Sequence, residues 1–130
     1  MDAYQKPLYP PECHYGIDLA ALAQPNVLFA VVRDEEATAV ACGAIVLEDD
    51  LGELKRMYVD PSHRGRGIAG LLISFLEAEA RAKGCPRFVL ETGIYQSAAV
   101  SVYARAGYVK CGPFGRYPDD PFSVFMVKPA

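Results

Sequence analysis

The sequence predicts a mixed α/β (α+β) fold built around one sheet, and three observations carry that reading. Residues 27–59 hold three apolar or alternating runs of strand length, separated by short polar turns. Residues 67–83 then repeat apolar side chains with helical period. After that helix come another strand-like run, a shorter helix and two closing strands. At 130 residues the chain fits a single domain, residues 1–130, and its 52% hydrophobic and 22% charged composition excludes an intrinsically disordered chain.

The elements follow in order. Residues 1–16 are rich in Pro and Tyr and read as irregular. Ile17 to Ala23 reads as a short helix stopped before Pro25. Val27–Val32 is a continuous apolar run ended by Arg33-Asp-Glu-Glu36, and reads as a strand. Thr38–Leu47 is a second strand, in which Gly43 marks a bulge or a close backbone approach. Gly52–Val59 is a third. Simple alternation places Leu54, Arg56 and Tyr58 on one face and Glu53, Lys55, Met57 and Val59 on the other. Short links make these three strands an antiparallel meander.

The long helix, Gly67 to Lys83, carries Ile68, Leu71, Leu72, Phe75 and Leu76 on one face, with Glu77–Arg81 and Glu79–Lys83 as i,i+4 pairs. Gly84 suits its C-terminal stop. Arg87–Glu91 is a fourth strand, expected to run parallel to the third through a right-handed crossover. Ser97 can cap a second helix over 98–106, closed by Gly107. Tyr108–Cys111 and Ser123–Val127 read as the closing strands.

Charge and cysteine content narrow the function classes. Thirteen basic residues against 16 acidic ones argue against general nucleic-acid binding. No apolar run reaches the roughly 18 residues of a membrane span, and the N-terminus lacks a signal-peptide core, so a cytoplasmic protein is expected. Cys13, Cys42, Cys85 and Cys111 form no CxxC pair, and His14 and His63 are the two histidines, so no metal site is expected. Cys42 and Cys85 read as buried small hydrophobes.

The informative segment is Arg64-Gly-Arg-Gly-Ile-Ala-Gly70, between a strand and a strongly periodic helix. Glycines let backbone N–H groups approach a ligand, and a helix N-terminus favours an anion. Lys55, Arg56, Arg64 and Arg66 reverse the local sign of an acidic chain. Together these features point to a bound pyrophosphate. Gly65, Gly67 and Gly70 also satisfy G-x-G-x-x-G, with Glu91 about 20 residues on. The preceding strand, however, alternates charged and apolar residues, where a first dinucleotide-fold strand is nearly all apolar. No P-loop lysine is present either.

Glu53-Leu-Lys-Arg-Met-Tyr-Val-Asp-Pro-Ser-His-Arg-Gly-Arg-Gly-Ile-Ala-Gly70 resembles the acetyl-coenzyme A signature of the GCN5-related N-acetyltransferases, with Arg64, Gly67 and Ala69 at its Arg/Gln-x-x-Gly-x-Gly/Ala positions. Leu90-Glu-Thr-Gly93, Gln96 and Val102-Tyr-Ala-Arg-Ala-Gly-Tyr108 follow in the family's order and spacing. Tyr9-Pro-Pro-Glu-Cys-His14 and the segment Pro113 to Met126 are similar to a branch of small bacterial members. The resemblance implies an acyl-CoA N-acyltransferase fold: a mostly antiparallel sheet with one splayed parallel strand pair. Family members usually open with a strand and a full helix before the Pro-Pro segment. Here Met1–Leu8 precede it, which leaves a sheet lacking its first strand as one outcome.

The resemblance also implies roles. Met57, Tyr58 and Val59 would pair with the pantetheine arm of acetyl-coenzyme A. Arg64, Gly65, Arg66, Gly67, Ile68, Ala69 and Gly70 would hold its pyrophosphate, and Gln96 would lie near the pantetheine. Tyr103 matches the tyrosine that protonates the departing thiolate, and Glu53 a glutamate used as general base. The acceptor would be a small-molecule amine, attacking directly in a ternary complex. A non-catalytic acyl-CoA-binding or sensor module is the alternative. A homodimer is expected, since a second copy would cover an open sheet edge. His63 reads as a solvent-facing loop residue, while His14, Glu12, Tyr117, Asp119, Asp120 and Ser123 stay open between structural roles and the acceptor cleft.

Overall fold

The computed structural model describes residues 16–20, 26–93, 97–114 and 117–129, the first of these stretches by its backbone. Within them the strands are β1 (Gly16–Ala20), β2 (Val27–Arg33), β3 (Ala39–Glu48), β4 (Leu51–Val59), β5 (Arg87–Gly93), β6 (Val109–Cys111) and β7 (Ser123–Lys128). The helices are α1 (Ile68–Ala82) and α2 (Ser97–Arg105). The strands form one sheet in the order β1-β2-β3-β4-β5-β7-β6. Only β4 and β5 pair in parallel, as the intervening helix led one to expect.

The short helix read over Ile17–Ala23 is not formed. Gly16–Ala20 is a strand, paired antiparallel with β2 from Gly16↔Arg33 to Ala20↔Phe29. The local apolar spacing suits either state, and pairing along β2 decides for strand. The edge of β2 that a missing first strand would leave bare is therefore held. The irregular reading of residues 1–15 lies outside the described residues.

β2 looks continuously apolar in sequence but buries alternate residues. Leu28, Ala30 and Val32 enter the core, and the others are half-buried. That core lies between the sheet and α1, which contributes Ile68, Leu72, Ile73, Leu76 and Ala80. Gly84, at φ +89°, stops α1, and Cys85 N–H donates to the Ala80 carbonyl at 3.0 Å. Of the two charge pairs read on this helix, Glu77–Arg81 forms at 3.8 Å and Glu79–Lys83 does not. Cys85 is buried, as read, whereas Cys42 is only half-buried.

β4 departs from simple alternation. Lys55 faces Ala44 and Tyr58 faces Cys42, so Gly43 opposes both Arg56 and Met57. This is a bulge, with Arg56 at φ +58°. The extra residue reverses the faces beyond it. Leu54 and Met57 both pack into the core layer, while Tyr58 is exposed. The expected grouping of Leu54 with Arg56 and Tyr58 fails for that reason. Gly43 meets both of its anticipated roles, because the Met57 sulfur fills the space its side chain would need.

Among the described residues one charged side chain is buried in the core. Glu77 of α1 accepts hydrogen bonds from the Tyr108 hydroxyl and the Lys128 ammonium, each at 2.7 Å. Burial, together with the adjacent Glu77 carboxylate, pushes the Tyr108 hydroxyl far above its ordinary pKa, so it remains a donor. The cluster ties α1 to β7 and to Tyr108, three residues beyond α2. Glu77→Ala is expected to destabilise the fold by about 2–3 kcal/mol, somewhat below a fully buried pair because Lys128 keeps some solvent contact. Urea unfolding measures it, and a loss under about 0.5 kcal/mol, the scale of a surface substitution, would show that the cluster contributes little.

Candidate functional site

β4 leads directly into a braced turn. Asp60 N–H donates to the Val40 carbonyl at 2.8 Å, and the Asp60 carboxylate accepts from the Ser62 hydroxyl and from His63 Nδ1. The Ser62 hydroxyl, and after it the His63 ring, holds Asp60 below the usual carboxylate range. His63 is thus half-buried and bonded, not a solvent-facing loop residue. Arg64 Nε donates to the Val59 carbonyl at 3.1 Å, folding its side chain back on the strand end.

Gly65 and Gly67 then take left-handed φ values of +80° and +76°. Apart from the adjoining chain, no heavy atom of the described residues lies within 4 Å of where a Cβ would stand at Gly65, Gly67 or Gly70, so this side of the turn is open. The first intrahelical bond of α1 runs from Leu71 N–H to the Gly67 carbonyl at 3.1 Å. The N–H groups of Ile68, Ala69 and Gly70 consequently have no helical acceptor, and among the described residues no side chain caps them. Donors converge on open space at the positive end of a helix, which is an anion-binding arrangement. Lys55, grouped with this basic cluster in sequence, lies elsewhere. Its Nζ is 4.0 Å from Glu53 Oε2, on the sheet face away from α1.

The second feature is a gap in the sheet. β4 pairs with β5 only from Leu51↔Arg87 to Leu54↔Leu90. Beyond that point β4 continues along β3 to Val59, while β5 continues along β7 to Gly93. Among the described residues Lys55 to Val59 therefore have no partner strand on the β5 side, which leaves their backbone groups there available to a ligand. Met57, Tyr58 and Val59 line this gap; Gln96 lies outside the described residues.

Glu53 and Tyr103 stand on opposite faces of the sheet. Tyr103 of α2 packs against the core layer and lies edge-on to Tyr108, with ring centroids 6.3 Å apart. Burial raises its hydroxyl pKa, and the hydroxyl has no hydrogen-bond partner among the described residues. Glu53 is on the other face, since its neighbour Leu54 is in the core. There it lines a cavity of about 410 Å³ with Val46, Glu48, Leu51, Lys55, Phe114 and Tyr117. The Tyr117 hydroxyl donates to Glu53 Oε2 at 2.7 Å, and this bond, with some burial, pushes its pKa up to about 12. Beside it the Ser123 hydroxyl donates to Glu91 at 2.8 Å. Tyr117 and Ser123 are ambiguous in sequence, and Glu91 stands there as a strand end and as the acidic residue of a nominal dinucleotide fingerprint. Their partners are remote in the chain, so no local spacing could reveal them.

The comparisons with known proteins bear on what such a site does. The profile of the acetyltransferase (GNAT) family matches residues 1–108. The chain belongs to the GNAT family. It is therefore an acyltransferase enzyme by family. A GNAT relative, the IAA acetyltransferase of Azospirillum brasilense, is 44% identical over 99% of this chain and 85% of its own length. A structure described as an acyl-CoA N-acyltransferase from Klebsiella pneumoniae matches with a TM-score of 0.80 at 43% identity, covering 98% of this chain and 83% of that one. The PaiA N-acetyltransferase of Thermoplasma acidophilum, solved with coenzyme A, shares the fold at a TM-score of 0.71 and 20% identity, over 79% of this chain and 60% of its own. No helix among the described residues is long and apolar enough to cross a membrane.

The glycines of the turn are expected to differ in tolerance. Gly65→Ala and Gly67→Ala should each cost about 1 kcal/mol, through positive φ and not through any clash. Gly70→Ala, with ordinary helical φ and open space, should be neutral or stabilising by up to about 1 kcal/mol. Urea unfolding of the three variants checks this order, and equal effects would contradict it.

Proposed function

We propose that residues 1–130 act as one domain that moves an acetyl group from acetyl-coenzyme A to a primary amine of a small molecule, by direct attack in a ternary complex. The observation that carries the reading is the alignment along β4: a carboxylate at Glu53, the gap over residues 55–59, then the glycine turn and the α1 N-terminus. The residues present fit coenzyme A. Backbone N–H groups from Arg64 to Gly70 would hold the pyrophosphate, and Met57, Tyr58 and Val59 would pair with the pantetheine, with Gln96 nearby.

When bound, acetyl-coenzyme A supplies an acyl group on a thioester, whose sulfur is a good leaving group. The acceptor nitrogen is mostly ammonium at neutral pH, since a lysine-like amine has a pKa near ~10.4. Glu53 takes its proton, directly or through one water. A backbone N–H of β4 facing the gap donates to the carbonyl oxygen as charge develops there. Tyr103 donates its proton to the departing sulfur; its raised pKa keeps that proton in place until it is needed. The reaction needs no covalent intermediate on the enzyme and no metal. The proposed setting is a cytoplasmic homodimer.

Two measurements test this. Gly70→Asp places a carboxylate in the first turn of α1, where the helix dipole welcomes it but a pyrophosphate does not. Calorimetry should show coenzyme A affinity reduced roughly tenfold or more, with the thermal midpoint held or raised. Unchanged affinity would move the cofactor elsewhere. Tyr103→Phe keeps the ring and removes one oxygen. Turnover, followed as free-thiol release with a panel of primary amines, should fall by roughly ten- to a thousandfold, with little change in acetyl-coenzyme A affinity. Normal turnover with a lowered midpoint would make Tyr103 a packing residue.

A further inference from the structure

Tyr117 is brought to Glu53 from 64 positions away in sequence. Its ring is held on two sides. Phe114 and Tyr117 meet edge-on at 5.3 Å, Tyr117 and Phe125 at 5.6 Å, and Phe114 and Phe125 at 5.5 Å. Phe125 is itself buried in β7 and in register with Glu91 of β5. Tyr117 N–H also donates to the Phe114 carbonyl at 3.2 Å, closing the loop on itself. The hydroxyl therefore projects from a fixed ring, and it engages Oε2 of Glu53 only. Oε1 has no partner among the described residues. A glutamate on a strand otherwise samples several rotamers, and fixing it on each turnover costs entropy.

We propose that Tyr117 is a positioning residue for the acetyl-transfer reaction, tethering Glu53 by one carboxylate oxygen so that the other faces the acceptor amine in the cavity both residues line. This rests on the reading of Glu53 as the base. The arrangement divides the labour of one carboxylate. Oε2 is spent on orientation and Oε1 is left for the proton. Tyr117 keeps its own proton throughout, so it acts as an anchor and not as an acid. Tethering lowers the ordering cost of reaching the transition state without adding any contact to coenzyme A.

The test is a double-mutant cycle of Tyr117→Phe and Glu53→Gln, assayed by thiol release with benzylamine, spermidine and lysine methyl ester as acceptor probes. Tyr117→Phe keeps the aromatic cluster and removes only the tether. Its kcat should fall roughly three- to thirtyfold, with KM for acetyl-coenzyme A and the thermal midpoint unchanged. In the Glu53→Gln background the same change should have almost no further effect, because the group it orients is gone. A readout independent of turnover is the Tyr117 ring-carbon resonance, identified by its loss in Tyr117→Phe, which should shift in Glu53→Gln. If Glu53→Gln lowers kcat and Tyr117→Phe does not, or if the two losses simply multiply, the tether is refuted while the base stands. If Glu53→Gln retains full turnover, or no probe releases thiol, the base reading falls and the tether with it.

Discussion

The structure depends on the parting of β4 from β5 after Leu54 and Leu90. Up to that pair the two strands satisfy each other's backbone groups. Beyond it each follows its outer neighbour, and the sheet opens at its centre. Unpaired backbone groups in a protein interior are costly unless something else pairs with them. An opening in mid-sheet therefore behaves as a slot for an extended ligand. The turn after β4 and the N-terminus of α1 stand at the far end of that slot because β4 itself leads into them.

Holding such a sheet together requires ties across the gap. On the α1 side, Glu77 connects the helix to Lys128 at the end of β7 and to Tyr108 beyond α2. On the opposite side, the Phe114–Tyr117–Phe125 cluster joins β7 to its preceding loop, and the Tyr117 hydroxyl reaches β4. Both ties use a tyrosine hydroxyl on a carboxylate. One is buried and structural. The other stands at the edge of a cavity, where one carboxylate oxygen has no partner among the described residues. The same chemical pair thus serves packing in one place and orientation in the other, and the difference lies in access.

The bulge at Gly43 and Arg56 couples these two sides. Without it, strict alternation would send Leu54, Arg56 and Tyr58 to the same face. With it, Met57 turns into the core layer, while Glu53 and Lys55, which precede the bulge, keep the outer face. Gly43 is where this was legible in advance, since a glycine inside a strand signals an irregularity. The direction of the resulting flip was not legible, because it depends on which residues of the facing strand share the extra space.

What the sequence determined by itself are the features set by neighbours in the chain. The period of Ile68 to Leu76 defines a helix and its buried face. Gly65 and Gly67 mark left-handed turns before it, and Gly84 marks its end. The strand–turn–helix order, with Arg64, Gly67 and Ala69 at their spacing, pointed to the family once Leu90–Gly93, Gln96 and Val102–Tyr108 followed in order. The tertiary structure decided everything that rests on pairing between distant segments. Gly16–Ala20 is a strand because β2 lies beside it, although its local pattern suits helix and strand alike. Glu77 reads in sequence as the acid of an i,i+4 pair with Arg81, and its burial under Tyr108 and Lys128 comes only from the fold. Tyr117, a residue in a Pro- and Gly-rich loop, acquires its meaning only from Glu53. Local propensity is a matter of tenths of a kcal/mol per residue, and a hydrogen-bonded strand partner or a buried carboxylate outweighs it.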